Sequence, residues 1–287
     1  MATAKLYSVQ GTELKSIPLP EQFDEEINND LIKRAVLAIQ QNSRQRYGAF
    51  KDAGKRSSAK LSKRRRNYRG SYGKAISRVQ RKIMWRRGSQ FGWEGAFAPG
   101  TRGGRKAHPP KSEKSFLVKI NKKERRKAIR SAIAATSMKE LVSIRHKLPK
   151  VVNALPIILE SKFESLNKTK NIKELLLKLG LKDELERINK KKIRAGKGRK
   201  RNRKYRIGRG PLIIFSNPCP LEKASRNLQG IETSLVENLN AELLAPGAVP
   251  GRLVIWSENA IQKMEKEKLF TNNQIKKENE EKSENKK

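Results

Sequence analysis

Cysteine, histidine and long apolar runs are nearly missing from this 287-residue chain, and acid is missing where base is most abundant. Cys219 stands alone, which excludes an intramolecular disulfide, and with only His108 and His146 beside it no Cys/His zinc spacing can be written. The longest aliphatic run, about six residues from Ala154 to Leu159 broken by Pro156, falls far short of the roughly 20 that cross a bilayer. The opening stretch MATAKLYSVQGTELK holds no apolar signal core, so the reading is of an intracellular chain, neither secreted nor membrane-inserted. No basic amphipathic helix with a clean apolar face supports binding to anionic lipid.

What is present is charge of one sign. Lys and Arg number 67 against 28 Asp and Glu, a formal net charge of +39. The 68 residues from Arg44 to Lys111 carry 21 of these cations against Asp52 and Glu94 alone, with half of all the aromatics and 10 of the 19 glycines. A net +19 repels itself without a polyanion, and the aliphatics between Lys60 and Arg87 follow no period that could bury a core. A passive tail is the plain reading of a charge run. Tails, however, are poor in aromatics, whereas Tyr47, Phe50, Tyr68, Tyr72, Trp85, Phe91, Trp93 and Phe97 are interleaved with the cations here. Rings for unpaired bases beside cations for phosphate imply nucleic acid, and RNA first.

The expected phosphate contacts are Arg44, Arg46, Lys55, Arg56, Lys63, Arg64, Arg65, Arg66, Arg69, Arg78, Arg81, Arg86, Arg87, Arg102, Arg105 and Lys106. The expected stacking rings are Tyr47, Tyr68, Tyr72, Trp85 and Trp93. His108, in GGRKAHPP, has two functional readings, a general base or a base-edge hydrogen bonder, the first without a serine, cysteine or carboxylate partner nearby, and the plainer reading is a histidine packed in a loop beside two prolines. A second segment, Lys190 to Arg209, adds 12 cations and no acid. Gly196 and Gly198 argue against a simply prolonged helix there, so the segment reads as a loop in which Arg194, Lys197, Arg199, Lys200, Arg201, Arg203, Lys204 and Arg206 hold phosphate. With Tyr205 its lone ring, it should read little base identity. The two segments hold +31 of the +39, and the other 199 residues carry an ordinary +8.

Those other residues read as one α/β body. Lys5 to Val9 and Glu13 to Ile17 form two short strands about Gln10-Gly11-Thr12, and Phe23 to Gln41 a helix with Asp24, Glu25 and Glu26 in its first turn. Asn121 with Glu124, and Ser137 with Glu140, have capping-box spacing and start helices Lys122 to Ala135 and Met138 to Lys147. The unalternating runs Leu155 to Leu159 and Pro211 to Phe215 are buried strands, with helices Ile172 to Leu179 and Lys182 to Ile188 between them. A strand at Thr233 to Val236, a helical turn at Leu239 to Leu244, a strand at Arg252 to Trp256 and a helix at Glu258 to Lys268 follow. The expected division is an α/β domain from 1–43 and 112–268 with a mostly parallel sheet, a long extended loop 44–111 inserted in it, the basic segment 190–209, and a disordered tail 269–287.

Enzyme fingerprints are missing. Gly95-Ala-Phe-Ala-Pro-Gly100 has phosphate-loop spacing, but Thr101-Arg102 replaces the Lys-Ser/Thr pair, and the run lies in the basic segment with no strand expected before it. Gly208-Arg209-Gly210 precedes a strand, where a dinucleotide loop must follow one. His146, between Arg145 and Lys147, reads as a cation at a helix C-terminus, Cys219 as a small loop or core residue, and Trp256 as core. No cofactor, metal or catalytic residue is expected. The alternatives from other classes are an RNA-modifying enzyme with a cofactor in the α/β body and a free regulator that binds messenger RNA.

Four long stretches, RQRYGAFKDAGKRSSA, GAFAPGTRGGRKAHPPKSEK, NKKERRKAIRSAIAAT and NLNAELLAPGAVPGRLVIWSENAIQKM, resemble the large-subunit ribosomal protein L-four family in its archaeal and eukaryotic form. The resemblance covers roughly Lys5 to Met264. It implies a Rossmann-like globular domain, a non-enzymatic place in the large ribosomal subunit in the cytoplasm, and a long internal loop that penetrates ribosomal RNA. It further implies that the loop tip, within Tyr68 to Trp93, lines the polypeptide exit tunnel beside ribosomal protein L-twenty-two. The lack of a long basic C-terminal extension points to the archaeal form, and no homo-oligomer is expected.

Overall fold

A computed structural model describes residues 3–67, 70–88, 90–148 and 154–271. In chain order the elements are β1 (Thr3–Tyr7), β2 (Glu13–Pro18), α1 (Asn29–Asn42), β3 (Ala59–Lys60), β4 (Arg81–Arg87), β5 (Gln90–Gly95), α2 (Lys122–Ser137), α3 (Lys139–Arg145), β6 (Ile157–Leu159), α4 (Thr169–Lys178) and α5 (Lys182–Asn189). Then come β7 (Lys192–Ile193), α6 (Lys197–Lys200), β8 (Tyr205–Arg206), β9 (Leu212–Phe215), α7 (Pro220–Arg226), β10 (Glu232–Leu235), α8 (Ala241–Leu244), β11 (Val254–Ser257) and α9 (Glu258–Lys266). The chain divides into two units, Met1–Asn42 with Val118–Lys287, and Ser43–Leu117.

The first unit is mixed α/β with a mostly parallel main sheet. Its six strands run in the order β10-β9-β11-β6-β1-β2, and every pairing is parallel except that of the edge strand β2 with β1. Because side chains alternate across a strand, the short apolar runs feed two cores at once. Ile158, Leu212, Ile214, Val254 and Trp256 point to one side, against Ile32 and Val36 of α1, Ala128, Ala132 and Ile133 of α2, and Ile261 and Met264 of α9. Ile157, Leu159, Ile213 and Ile255 point to the other, against Val142 of α3, Ile172 and Leu175 of α4, and Leu221 of α7. Trp256, read as core, is fully buried and meets Phe23 edge to face at 5.5 Å.

Several boundaries differ from the sequence reading for local reasons. α1 starts at Asn29, not Phe23, because the Asn28 side chain accepts from Leu31 N at 2.9 Å and caps it there. Glu25, no longer in a first turn, pairs instead with Arg130 at 2.6 Å. Neither capping box forms. Asn121 makes no side-chain cap bond, and Ser137 ends α2 with its Oγ donating to the Ala134 carbonyl. Leu269, Phe270 and Thr271, assigned to the tail, are buried, with Gln22 Nε2 donating to the Leu269 carbonyl at 2.8 Å and Arg130 Nη1 to that of Phe270 at 2.6 Å. The rest of that segment, 272–287, lies outside the described residues.

The second unit holds a three-stranded antiparallel sheet, β3-β4-β5, where the sequence showed only an extended loop. Its main part is the hairpin β4-β5, whose last described pair is Arg87↔Gln90, with Gly88 after it at φ +56°.

Candidate nucleic-acid interface

Within Ser43–Leu117 the outgoing and returning legs run together. Ala49 N donates to the Pro110 carbonyl at 2.9 Å, and a Cβ on Gly54 would collide with the backbone of Gly104 and Arg105. The Tyr47 and Phe116 rings stack across the legs, centroids 5.9 Å apart and 13° from parallel. The Arg44 guanidinium lies 4.3 Å from the Phe116 centroid and 5.5 Å from that of Tyr47. Tyr47 keeps 52% of its surface exposed, so the stack is open to a further planar group.

In the hairpin, a bulge between Ile83 and Trp85 shifts the register and sets Trp85 directly opposite Gly92. The indole lies across the strand over Gly92, where any Cβ would occupy the ring's own position. Trp85 is 57% exposed even so. Phe91 and Trp93 pair edge to face at 5.2 Å, with Lys74 Nζ 5.5 Å and the Arg81 guanidinium 5.8 Å from the Trp93 centroid. Arg56 lies 4.2 Å over Phe50 and Arg78 5.3 Å over Tyr72. These are cation–π distances.

Carboxylates do not compete for those cations. Among the described residues of this unit no Lys or Arg reaches a carboxylate within ion-pair distance, although Asp52, Glu94 and Glu113 are in the same unit. Arg44, Arg46, Lys55, Arg56, Lys63, Arg64, Arg65, Arg66, Arg78, Arg86, Arg87, Arg102, Arg105, Lys106 and His108 are exposed, and Arg81 and Trp93 half-buried. Tyr68 and Arg69 lie outside the described residues. Gly95 ends β5, so the glycine run Gly95 to Gly100 does follow a strand, contrary to the sequence reading. That strand is one arm of an antiparallel hairpin and no helix follows it, so the run still lacks a phosphate loop's geometry.

The segment Lys190–Arg209 belongs to the first unit and is a ribbon, not a loop. β7 pairs antiparallel with β8, Arg194 N donates to the Lys204 carbonyl at 2.8 Å, and the helical turn α6 forms the tip. Arg194, Lys197, Arg199, Lys200, Arg201, Arg203, Lys204 and Arg206 are all exposed.

The carboxyl ends of the parallel strands, where α/β folds place nucleotides, hold the chain's own carboxylate. Glu164 accepts from Ser216 N at 2.9 Å, Ser216 Oγ at 3.1 Å, Ser257 Oγ at 2.6 Å and Asn259 Nδ2 at 3.2 Å, and Ser257 also caps α9. An anion site there is satisfied from within. Cys219, N-terminal to α7, has its thiol pushed up by burial, which favours the unreactive protonated form.

His146 is not the helix-end cation that its neighbours suggested. It follows α3 but is buried, with Nδ1 2.6 Å from Glu184 Oε1. Burial lowers its pKa and outweighs the carboxylate, so the ring is neutral at pH 7 and donates through Nδ1. Burial raises the Glu184 carboxyl, but hydrogen bonds from Arg187, His146 and Lys147 N carry it below its usual range. Arg252, fully buried, is pushed down to about 9 by burial, and so still carries its charge at neutral pH against Glu232 Oε2, 2.7 Å away.

Sequence reasoning missed Phe116, which lies past the boundary set at Lys111, and left Phe50 and Lys74 off the contact set. The signal for Phe116 was a lone ring between Lys114 and Lys119 on the returning leg.

The sequence profile described as the ribosomal protein L4/L1 family matches residues 17–267. The chain belongs to this family. It is 51% identical over 267 residues to the large ribosomal subunit protein uL4 of Nanoarchaeum equitans, covering 92% of this chain and 98% of that protein. Proteins with the same name from Methanocaldococcus jannaschii, at 43%, and Methanosphaera stadtmanae, at 41%, match 91% and 92% of this chain and 97% and 96% of their own lengths. As a member of the L4/L1 family, the chain has its two most basic segments, 44–111 and 190–209, inside the matched range. Among the described residues no helix is long and apolar enough to cross a membrane.

Proposed function

We propose that this protein is a structural, non-enzymatic constituent of the large ribosomal subunit in the cytoplasm, holding large-subunit ribosomal RNA and contacting neighbouring ribosomal proteins. The observation that carries the reading is the pairing of cations with rings, and not with carboxylates, in 43–117, in a chain of the L4/L1 family. Cations left without acid partners are matched by phosphate, and exposed rings by unpaired bases. In this reading the hairpin β4-β5 and the residues before it form the far end of a long loop that lines the polypeptide exit tunnel beside ribosomal protein L-twenty-two. The body is Rossmann-like, with helices against both faces of a mostly parallel sheet. Glu164, which fills the crevice where a cofactor's phosphate would sit, weighs against the RNA-modifying alternative.

Hydroxyl-radical footprinting of a large-subunit rRNA transcript with the full chain tests the proposal. Protection should appear at unpaired, loop-rich RNA, and Tyr47→Ala and Trp85→Ala should each remove a local part of it. A footprint unchanged by both, or dissociation from large subunits in a high-salt wash, would count against a structural place in the subunit.

A further inference from the structure

The basic ribbon is seated on the α/β unit by a buried carboxylate that the RNA reading leaves without a role. Glu184 of α5 is fully buried, and its two oxygens accept from His146 Nδ1 at 2.6 Å, Lys147 N at 3.0 Å, and Arg187 Nε and Nη2 at 2.8 and 2.7 Å. The Arg187 fork does not stop there. Its Nη2 also donates to the Arg209 carbonyl at 2.7 Å, at the end of the ribbon. The Arg209 guanidinium pairs with Glu232, which in turn holds the buried Arg252. At the ribbon's other end, Gln229 Nε2 donates to the Ile188 carbonyl at 3.4 Å.

We infer that Glu184 is a positioning residue for RNA binding: through Arg187 and the Arg209 carbonyl it fixes the direction in which ribbon 190–209 presents its cations. A buried acid is a poor source of stability, since well-packed apolar replacements are often neutral or better. What it adds is geometry. A planar guanidinium held at two nitrogens by one carboxylate has a single orientation, and here that orientation also grips the chain where it leaves the ribbon at Arg209. This inference rests on the reading of 190–209 as a phosphate-binding arm.

The test measures binding of the full chain to an in vitro transcript of Nanoarchaeum equitans large-subunit rRNA across a salt series, because the slope of log affinity against log salt counts phosphate contacts. The variants are Glu184→Gln, a ribbon variant with Arg199, Lys200 and Arg201 each changed to Gln, and the two combined. The ribbon variant should lower the slope by about 2, at roughly 0.7 to 0.9 per contact. Glu184→Gln should lower it by at least about 1, and the combined loss should be smaller than the sum of the two. Charge alone predicts the opposite sign, since deleting an acid makes the protein more cationic and the slope steeper.

A Glu184→Gln protein that keeps the native slope or steepens it, or a combined loss equal to the sum, overturns the inference and leaves the ribbon's phosphate contacts standing. A ribbon variant with the native slope removes the ribbon reading itself, and the inference with it. If circular dichroism shows Glu184→Gln unfolded, Arg187→Lys decides, because its side chain is 25% exposed and an ammonium lacks the planar fork that holds both Glu184 oxygens and so sets the angle at which the Arg209 carbonyl is gripped. A lowered slope then supports the positioning role, and an unchanged slope overturns it.

Discussion

Arg130 and Arg81 are the same side chain in two different settings. Arg130, in the α/β unit, meets Glu25 at 2.6 Å and the Phe270 carbonyl at 2.6 Å, and is held from within. Arg81, in the basic unit, finds the Trp93 ring and the Ser77 carbonyl but no carboxylate. The same contrast runs through both units: Arg187 with Glu184, Arg252 with Glu232 and Lys263 with Glu237 on one side, Arg44, Arg56 and Arg78 over rings on the other. A charge paired internally is already matched within the fold. A charge resting on a ring keeps most of its donors free for an outside anion. The difference separates a unit whose buried cations are matched from within from one whose described cations meet no carboxylate.

The sharpest way to break that comparison is to separate the two parts. Asn42 and Val118 are already joined by two hydrogen bonds, Val118 N to Asn42 Oδ1 at 2.8 Å and Asn42 Nδ2 to the Val118 carbonyl at 3.3 Å, so a short Gly-Ser linker can replace 43–117. The excised protein should keep the far-ultraviolet dichroism and cooperative melting of the α/β unit, while its affinity for large-subunit rRNA near 0.2 M salt should fall on the order of a thousandfold or more. Loss of folding, or intact affinity, would refute the division of labour.

The tryptophans sharpen it within the intact chain. Trp256→Ala empties a fully buried site against Phe23 and should cost about 3 to 5 kcal/mol of unfolding free energy, read by denaturant titration, with little change in RNA affinity while the protein is folded. Trp85→Ala removes a ring lying on Gly92 in the open, so melting should not move, while RNA binding should weaken by about 1 to 3 kcal/mol. Phe116→Ala should resemble Trp85→Ala because its ring belongs to an open stack. A stability loss at Trp85, or a binding loss at Trp256 without unfolding, would show that the two units are not specialised in this way.

How much of this the sequence showed depends on which force made each element. Ile157–Leu159, Leu212–Phe215 and Val254–Ser257 were legible because a strand buried on both faces must be apolar throughout. The hairpin Arg81–Gly95 was not, because strands with cations on both faces lose the period-two signal, and only Gly88 and the small residue opposite Trp85 betray them. The start of α1 was misplaced because the acidic run Asp24 to Glu26 looked like a first turn, while the cap is Asn28. The cations and most of the rings could be named from spacing, but Phe116 acquires its role only by stacking on Tyr47, 69 positions earlier. His146 shows the same limit, since its partner lies 38 residues downstream.

The smallest expected effect is a pH dependence that only the α/β unit should show. His146 is buried beside Glu184, with the guanidinia of Arg187 and Arg252 facing the same cluster and Arg145 beside it in sequence. Burial sets its folded pKa below the ordinary 6.5, so in acid the unfolded chain takes up a proton before the folded one does. Stability from this group is therefore complete above about pH 6.5 and is lost as pH falls toward the lower folded value. Glu184, whose folded pKa is also lowered, adds a second loss in the same direction, setting in as pH falls below the ordinary carboxylate range. Urea titrations of the intact protein at pH 7 and pH 5.5 should show the α/β transition weakening, and His146→Gln should flatten that difference. The cations of 43–117 rest on rings and not on this cluster, so in the ribbon variant with Arg199, Lys200 and Arg201 changed to Gln the RNA salt slope should not fall with the α/β stability. If that slope and the α/β stability fell together between pH 7 and 5.5, the buried cluster and the RNA-facing surface of 43–117 would share a titrating group, and the line drawn between an internally paired unit and an externally paired one would have to be moved.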